Sequence, residues 1–204
     1  MCAPAILRNI SSDRRGIAAT EFGLIAPVFI LLLMGSLDMG HTLYMQSVLQ
    51  GVVQKTARDA TLESGSETAK QAELDAMVTT NVRNLASNAT VTISRRYFKD
   101  FTKAAQSVAE PFTDTNGNSN CDAGEPYQAN NNNSTWDEDG GDGGQGGAKD
   151  SVIYTADISY PRLFPMNGLL GLSETAEVEA ITVLANQPYG EQEQYSAATL
   201  RNCA

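Results

Sequence analysis

Arg14-Arg15-Gly16-Ile17-Ala18-Ala19-Thr20-Glu21-Phe22, continued by an apolar run as far as Leu37, is the stretch that decides the fold. The run 17–37 contains Glu21 as its only charge. A helix rising about 1.5 Å per residue crosses a hydrocarbon core of roughly 30 Å in that length. The stretch therefore predicts a membrane-spanning helix with one acid near its start. A carboxylate among apolar residues costs on the order of 3 kcal/mol on insertion scales, so an intramembrane Glu implies a partner or a function. If the chain were cut after Gly16, Ile17 would carry a free ammonium one helical turn from Glu21. The amino end of a neighbouring subunit would be the other available cation.

At these residues the chain resembles a known family. Basic residues, a Gly, four small or apolar residues, Glu-Phe and a long apolar helix are similar to the processing site of type IV pilin-like proteins. Over residues 14–40 the match looks like the TadE/TadG-like pseudopilins of tight-adherence (Flp) pili. The resemblance implies cleavage between Gly16 and Ile17 by a prepilin peptidase at the cytoplasmic membrane face. It also implies that Gly16, Ile17, Glu21 and Phe22 serve processing and assembly. The partners implied are that peptidase, other pilin or pseudopilin subunits and the inner-membrane assembly platform. An uncleaved signal anchor with an incidental Glu stays open at this point.

Charge supports an exported domain. The 204 residues carry a formal net charge of −10. Arg8, Arg14 and Arg15 against Asp13 give the segment 1–16 a charge of +2, so its removal would leave −12. Such a chain repels nucleic acid and anionic head groups and suits divalent cations or basic partners. Arginines precede the span and residues 38–54 contain no Lys or Arg, which by the positive-inside rule keeps the amino end cytoplasmic. The expectation is a single-pass protein of the bacterial inner membrane with a periplasmic carboxy-terminal domain, open to incorporation into an extracellular pilus. The segment 1–16 lacks the apolar core of a secretory signal, and no apolar segment precedes Cys2 as a lipoprotein site requires. Of the three cysteines, Cys121 and Cys203 remain outside the leader, where a disulfide between them is possible.

The pattern divides the chain into a leader (1–16), a membrane helix (17–40), an amphipathic stem (41–64) and an α+β domain (65–204). In the stem, Met45, Val48, Leu49, Val52, Val53, Thr56, Ala57 and Ala60 share one face. Gln46, Gln50, Gln54, Lys55, Arg58 and Asp59 take the other. Gly35, Gly40 and Gly51 permit close helix contact, and Pro27 is expected to kink or loosen the span. His41, the only histidine, reads as an interfacial side chain rather than a catalyst. A second helix is expected over 67–87, with Leu74, Met77, Val78, Val82 and Leu85 on one side and a Ser64/Glu67 capping box at its start.

Three runs alternate as strands: Ala89, Val91 and Ile93 with Tyr97; Val152, Tyr154, Ala156, Ile158 and Tyr160; and Ala176, Val178 and Ala180 continuing to Leu184. They predict a small antiparallel sheet of about three strands packed on the stem. Between the last two, Leu163, Phe164, Met166, Leu169, Leu170 and Leu172 form an apolar connection that closes the core or meets a partner.

Between the first two strands the composition turns to Asn, Asp and Gly over 112–147. Phe112, Asn116, Asn118, Ser119 and Asp122 recur, at one constant offset, as Tyr127, Asn131, Asn133, Ser134 and Asp137, a tandem repeat. In the first copy Asp114, Asn116, Asn118, the Asn120 carbonyl, Asp122 and Glu125 have the spacing of an EF-hand-type Ca2+ loop, whose hard cation takes six to eight oxygens. Ser119 stands where that loop normally has Gly. The second copy is poorer, with Ala129 for the first carboxylate and Gly140 for the closing Glu. It leaves Asn131, Asn133, Asp137 and Asp139 or Asp142 as a weaker site. The competing expectation is a solvated loop that does not order without an ion.

No nucleophile elbow, phosphate loop or zinc helix motif is present, and Glu73, Asp75, Glu177 and Glu179 read as solvated faces. A non-enzymatic minor pilin or pseudopilin with a calcium-stabilised exported domain is the expectation. An uncleaved calcium-binding scaffold and an adhesion module are the alternatives.

Overall fold

The computed structural model describes residues 15–62, 67–164, 171, 173–192 and 194–204. The leader before Arg15, Ser64 of the expected capping box, and residues 165–170 and 172 of the apolar connection lie outside the described residues. Helix α1, Arg15–Ala60, runs 46 residues without interruption, so Pro27 lies inside it and does not end it. Its apolar first half is long enough to cross a membrane, and none of the most apolar 18-residue window is buried within the chain.

The second half of α1 is the spine of the domain. Met45, Leu49, Val53 and Ala57 are buried against Val78 and Val82 of helix α2, Thr68–Arg83, and against the sheet. Fully burying an aliphatic side chain contributes about 1.5–3 kcal/mol, which is why the polar face of the stem is left to solvent. Helix α2 starts later than the capping-box reading implies. Glu67 is itself the N-cap, with extended φ −73° and ψ 130° and no side-chain cap bond. A capping-box Glu would sit three residues inside the helix. The helix also stops at Arg83, short of the expected end at Ser87, where the N–H groups of Leu85 and Ala86 both turn back to the Val82 carbonyl.

Strand β1, Thr90–Phe98, leads to a short helix α3, Phe101–Gln106. The remaining strands are β2 (Pro126–Ala129), β3 (Asp142–Gly143), β4 (Ser151–Pro161), β5 (Thr175–Ala185) and β6 (Thr199–Asn202). They form a four-stranded antiparallel sheet in the order β3-β1-β4-β5 and a separate two-stranded pair, β2 with β6. The fold is α+β. In the main sheet Tyr154, Ala156, Ile158, Tyr160, Ala176, Val178 and Ala180 face the helices. Ala156 and Ala180 stand directly opposite each other, and two such small side chains let α1 lie close over the strands.

Direction matters for function. Tyr160 meets the start of the stem, its hydroxyl 3.3 Å from Thr42 Oγ1 and its ring edge-on to His41, while Tyr154 and Val152 lie beside Ala57 and Ala60. Strand β4 therefore runs antiparallel to α1. The β4–β5 end of the sheet is level with the end of the apolar span, and the insertion between β1 and β4 leaves from the opposite end. From residue 38 to residue 60 the helix rises roughly 33 Å. His41 is accordingly packed on the sheet. Asp75, expected on a solvated face, instead binds Arg95 through both carboxylate oxygens and meets the Tyr154 hydroxyl at 3.3 Å.

Candidate functional site

Two regions carry the sequence-derived site residues, one at each end of the molecule. At the amino end, Ile17 is 50% and Phe22 69% exposed, and Gly16 and Glu21 are exposed as well. Ile17 and Glu21 are one helical turn apart, with the Thr20 hydroxyl donating to the Ile17 carbonyl at 2.8 Å. Leu24, Ile25, Val28, Phe29 and Leu32 are likewise exposed around the helix, a continuous apolar surface consistent with a membrane anchor. A methyl group built at Gly35, Gly40 or Gly51 would meet nothing within 4 Å, so no contact among the described residues requires their small size.

At the far end the tandem repeat in sequence is a repeat in space. In the first loop Asn118 N–H donates to Asn116 Oδ1 (3.0 Å) and Asn120 N–H to Asn118 Oδ1 (2.8 Å). In the second, Asn133 N–H donates to Asn131 Oδ1 (3.1 Å) and Thr135 N–H to Asn133 Oδ1 (2.8 Å). Both asparagine amides of each loop converge on one carboxylate oxygen. Asn116 and Asn118 reach Asp122 Oδ2 at 2.6 and 2.7 Å, and Asn131 and Asn133 reach Asp137 Oδ2 at 2.8 and 2.7 Å. The position where an EF-hand loop has Gly is left-handed in both, with φ +63° at Ser119 and +72° at Ser134. The serines make the turn that glycine usually makes, at some conformational cost.

The closing glutamate is also duplicated, in a place the repeat alignment did not reach. Glu125 accepts from Thr115 N–H (2.7 Å) and Asp122 N–H (3.0 Å), and its own N–H donates to the Asp122 carbonyl (3.0 Å). Glu110 does the same for the second loop. It accepts from Asn130 N–H (2.6 Å) and Asp137 N–H (3.2 Å), and its N–H donates to the Asp137 carbonyl (3.0 Å). Each partner lies one repeat length beyond its counterpart, whereas Glu110 lies one repeat length before Glu125 and closes the loop that lacks a Glu of its own. Extending the sequence offset one step backwards would have found it.

The loops differ in what faces their acids. Asp114 accepts three backbone N–H groups, from Asn116, Gly117 and Ser119 at 3.2, 2.6 and 2.7 Å. The Ser119 bond in particular holds its carboxyl below the usual range. Glu125 is lowered as well, first by the Asp122 N–H and then by Thr115. No basic side chain pairs with either acid among the described residues. In the second loop, two of the carboxylates offered for a second ion, Asp137 and Asp139, are bound by Arg96 from β1, and the third, Asp142, accepts from Asn133 Nδ2 at 3.2 Å. Arg96 Nη2 lies 2.6 Å from Asp137 Oδ1 and 2.8 Å from the Gly141 carbonyl, and its Nε 2.9 Å from Asp139 Oδ2. The Asp139 bond raises Arg96 above its ordinary value, and although burial works against Asp139, the Arg96 bond holds that carboxyl low.

A disulfide joins Cys121 of the first loop to Cys203 beside β6, with their Cα atoms 5.8 Å apart. Its counterpart in the second loop, Trp136, donates its indole N–H to the Glu110 carbonyl at 2.8 Å and packs edge-on to Phe112.

Among the described residues no group of three or more His, Cys, Asp or Glu side chains is gathered closely enough to hold a metal. The first loop is a mixed carboxylate and amide set, which is the chemistry of a hard cation rather than a transition metal. As it stands, Asn116 and Asn118 turn their Nδ2 atoms to Asp122, and their Oδ1 atoms already accept the Asn118 and Asn120 N–H groups, so taking up a cation would require both amides to turn over and give up those backbone bonds.

Residues 16–58 match the protein-family model described as TadE-like protein. No curated protein and no solved structure matches the chain.

Proposed function

From a chain whose residues 16–58 are TadE-like, we propose a minor pilin or pseudopilin of a tight-adherence pilus system, structural rather than catalytic in role. The observation that carries this reading is that the TadE-like segment coincides with α1. That single helix leaves its amino-terminal half as exposed apolar surface and buries its other half as the spine of a folded domain. A prepilin peptidase would cut between Gly16 and Ile17. The new Ile17 ammonium would then lie one turn from Glu21, or beside the Glu21 of a neighbouring subunit. Cleavage would also place Glu21 in the first turn of the helix, where a carboxylate is favoured by the macrodipole.

The exposed helix, with open space where a Cβ would stand at Gly35, Gly40 and Gly51, supports packing against other pilin helices in the inner-membrane assembly platform or in the fibre. The arginines before the span support a periplasmic domain. In that domain Asp114, Asn116, Asn118, the Asn120 carbonyl, Asp122 and Glu125 would hold Ca2+, whose charge would offset carboxylates that have no basic partner. The test of function is Glu21→Ala in the native cell. Processing is expected to continue while the protein disappears from sheared pili or pilus number falls, and normal pilus assembly would overturn the pairing role.

A second reading is favoured by the position of the loops at the end of the domain away from the span. There they would serve as a calcium-stabilised adhesion surface. Intact pili that lose surface attachment after Asp114→Ala would favour it.

A further inference from the structure

The end of the domain nearest the span is organised around a buried charge. Asp38, immediately beyond the apolar run, is 4% exposed. Its Oδ2 accepts from Arg162 Nη1 at 2.6 Å and its Oδ1 from the Leu163 backbone N–H at 3.3 Å. Arg162 is held in turn by the Ser173 carbonyl, 2.9 Å from its Nε, and its own N–H donates to the Glu174 carbonyl at 3.1 Å. One helical carboxylate therefore fixes the height at which the chain leaves β4. That height is the level of residue 38.

The side chain fixed there is apolar and half exposed. Leu163 is 52% exposed, and across the same level of α1 Leu37 is 52% and Met39 65% exposed. If a hydrocarbon core of roughly 30 Å begins at Ile17, it ends near residue 37, and the head-group layer extends about 5–7 Å further. Leu163 and Met39 then lie within that layer, continuous with the span. We propose that this edge of the domain, carrying Leu163 and latched by the Asp38–Arg162 pair, docks on the lipid surface beside the helix that anchors it. The occupant is zwitterionic lipid, because Leu37, Met39 and Leu163 are apolar, Arg162 is already paired with Asp38, and the exposed Glu174 and the net charge of −10 disfavour anionic head groups. Docking holds the domain upright on the bilayer and presents the double loop away from it. Leaving the membrane for a fibre would require that contact to be given up.

The inference rests on α1 spanning the membrane, so the experiment reads both. Full-length protein carrying Cys2→Ser is placed in phosphatidylcholine vesicles with a nitroxide on one introduced cysteine, Phe29→Cys, Leu163→Cys or Leu200→Cys, the native disulfide staying oxidised. Collisions with oxygen report lipid, and collisions with a water-soluble nickel chelate report water. The Leu163 label is expected to be shielded from nickel several-fold relative to Leu200, approaching Phe29. Adding Arg162→Gln, a variant that frees the latch without altering the label, is expected to return the Leu163 label towards water. A shielded Phe29 label with Leu163 as open to nickel as Leu200 would overturn the docking and leave the span standing. An unshielded Phe29 label would overturn both. Shielding of Leu163 seen only in assembled pili, and not in vesicles, would place another subunit on this edge and overturn docking on lipid.

Discussion

The two loops of the insertion have the same backbone and different charge. Each has asparagine amides converging on one aspartate, a left-handed serine and a glutamate closing it, yet the second has the Arg96 guanidinium among its carboxylates and the first has no basic side chain paired with its acids among the described residues. Where a fixed cation sits, the first-position carboxylate is replaced by Ala129 and the closing glutamate is supplied from upstream by Glu110. Where none sits, Asp114 and Glu125 are both present. In the second copy Arg96 supplies fixed positive charge to Asp137 Oδ1 and to Asp139. In the first, Asp114, Asp122 and Glu125 are met by backbone N–H groups and asparagine amides, and it is there that we propose a dissociable ion.

The largest expected way to break the comparison is through the cross-link that only the first loop has. Cys203→Ser opens a loop of 82 residues' separation, worth about 4 kcal/mol in the chain-entropy account. Denaturant unfolding of the detergent-solubilised protein checks this, and the first loop should gain hydrogen exchange before the second. Arg96→Gln removes the fixed cation and leaves Asp137 and Asp139 facing each other, at a cost of about 1–3 kcal/mol. Part of that loss should return with added Ca2+ if the guanidinium stands in for an ion. No calcium response in this variant would break the equivalence.

In the unaltered protein, calcium held only by the folded first loop should raise stability by about 1–3 kcal/mol at ten to a hundred times Kd. Asp114→Ala or Glu125→Gln should abolish that gain in a melting experiment, and Asp137→Asn should not. The smallest effect is with pH. Asp114 and Glu125 have lowered folded values, so their hydrogen bonds contribute stability that is full above the ordinary carboxylate range of about pH 4. That contribution is lost as pH falls through the lowered values. Acid unfolding followed by circular dichroism should have a shallower slope in Asp114→Asn.

The parts legible in the sequence were those fixed by local period. The apolar run of α1, the stem face from Met45 to Ala60 and the alternation of β4 depend on side chains a few residues apart, and burial follows them. The constant offset between Asn116 and Asn131, or Asp122 and Asp137, likewise exposed the loops, since ligand spacing is a local property. What was hidden depends on partners far along the chain. Arg96 meets Asp137 across 41 residues, and Arg162 meets Asp38 across 124. Nothing in the spacing of either arginine names its acid. Strand β6 has no apolar alternation to announce it, and β2 has only Tyr127 and Ala129 about an exposed Gln128, too short a pattern to read inside the insertion; beside them run the Cys121–Cys203 link and a bond from Cys203 N–H to the Glu125 carbonyl at 2.8 Å. The EF-hand pattern raised a question about Ser119 that backbone conformation answers, since Ser119 itself adopts the left-handed turn.

A polar, double-looped head stands on a helix whose amino-terminal half is exposed among the described residues, and the account depends on what becomes of that helix. The most direct measurement is the intact mass and amino-terminal sequence of the protein recovered from its own cell. The account predicts a mature chain beginning at Ile17, with Glu21 one turn inside its new amino end. A protein that retains Met1 while functioning would contradict it.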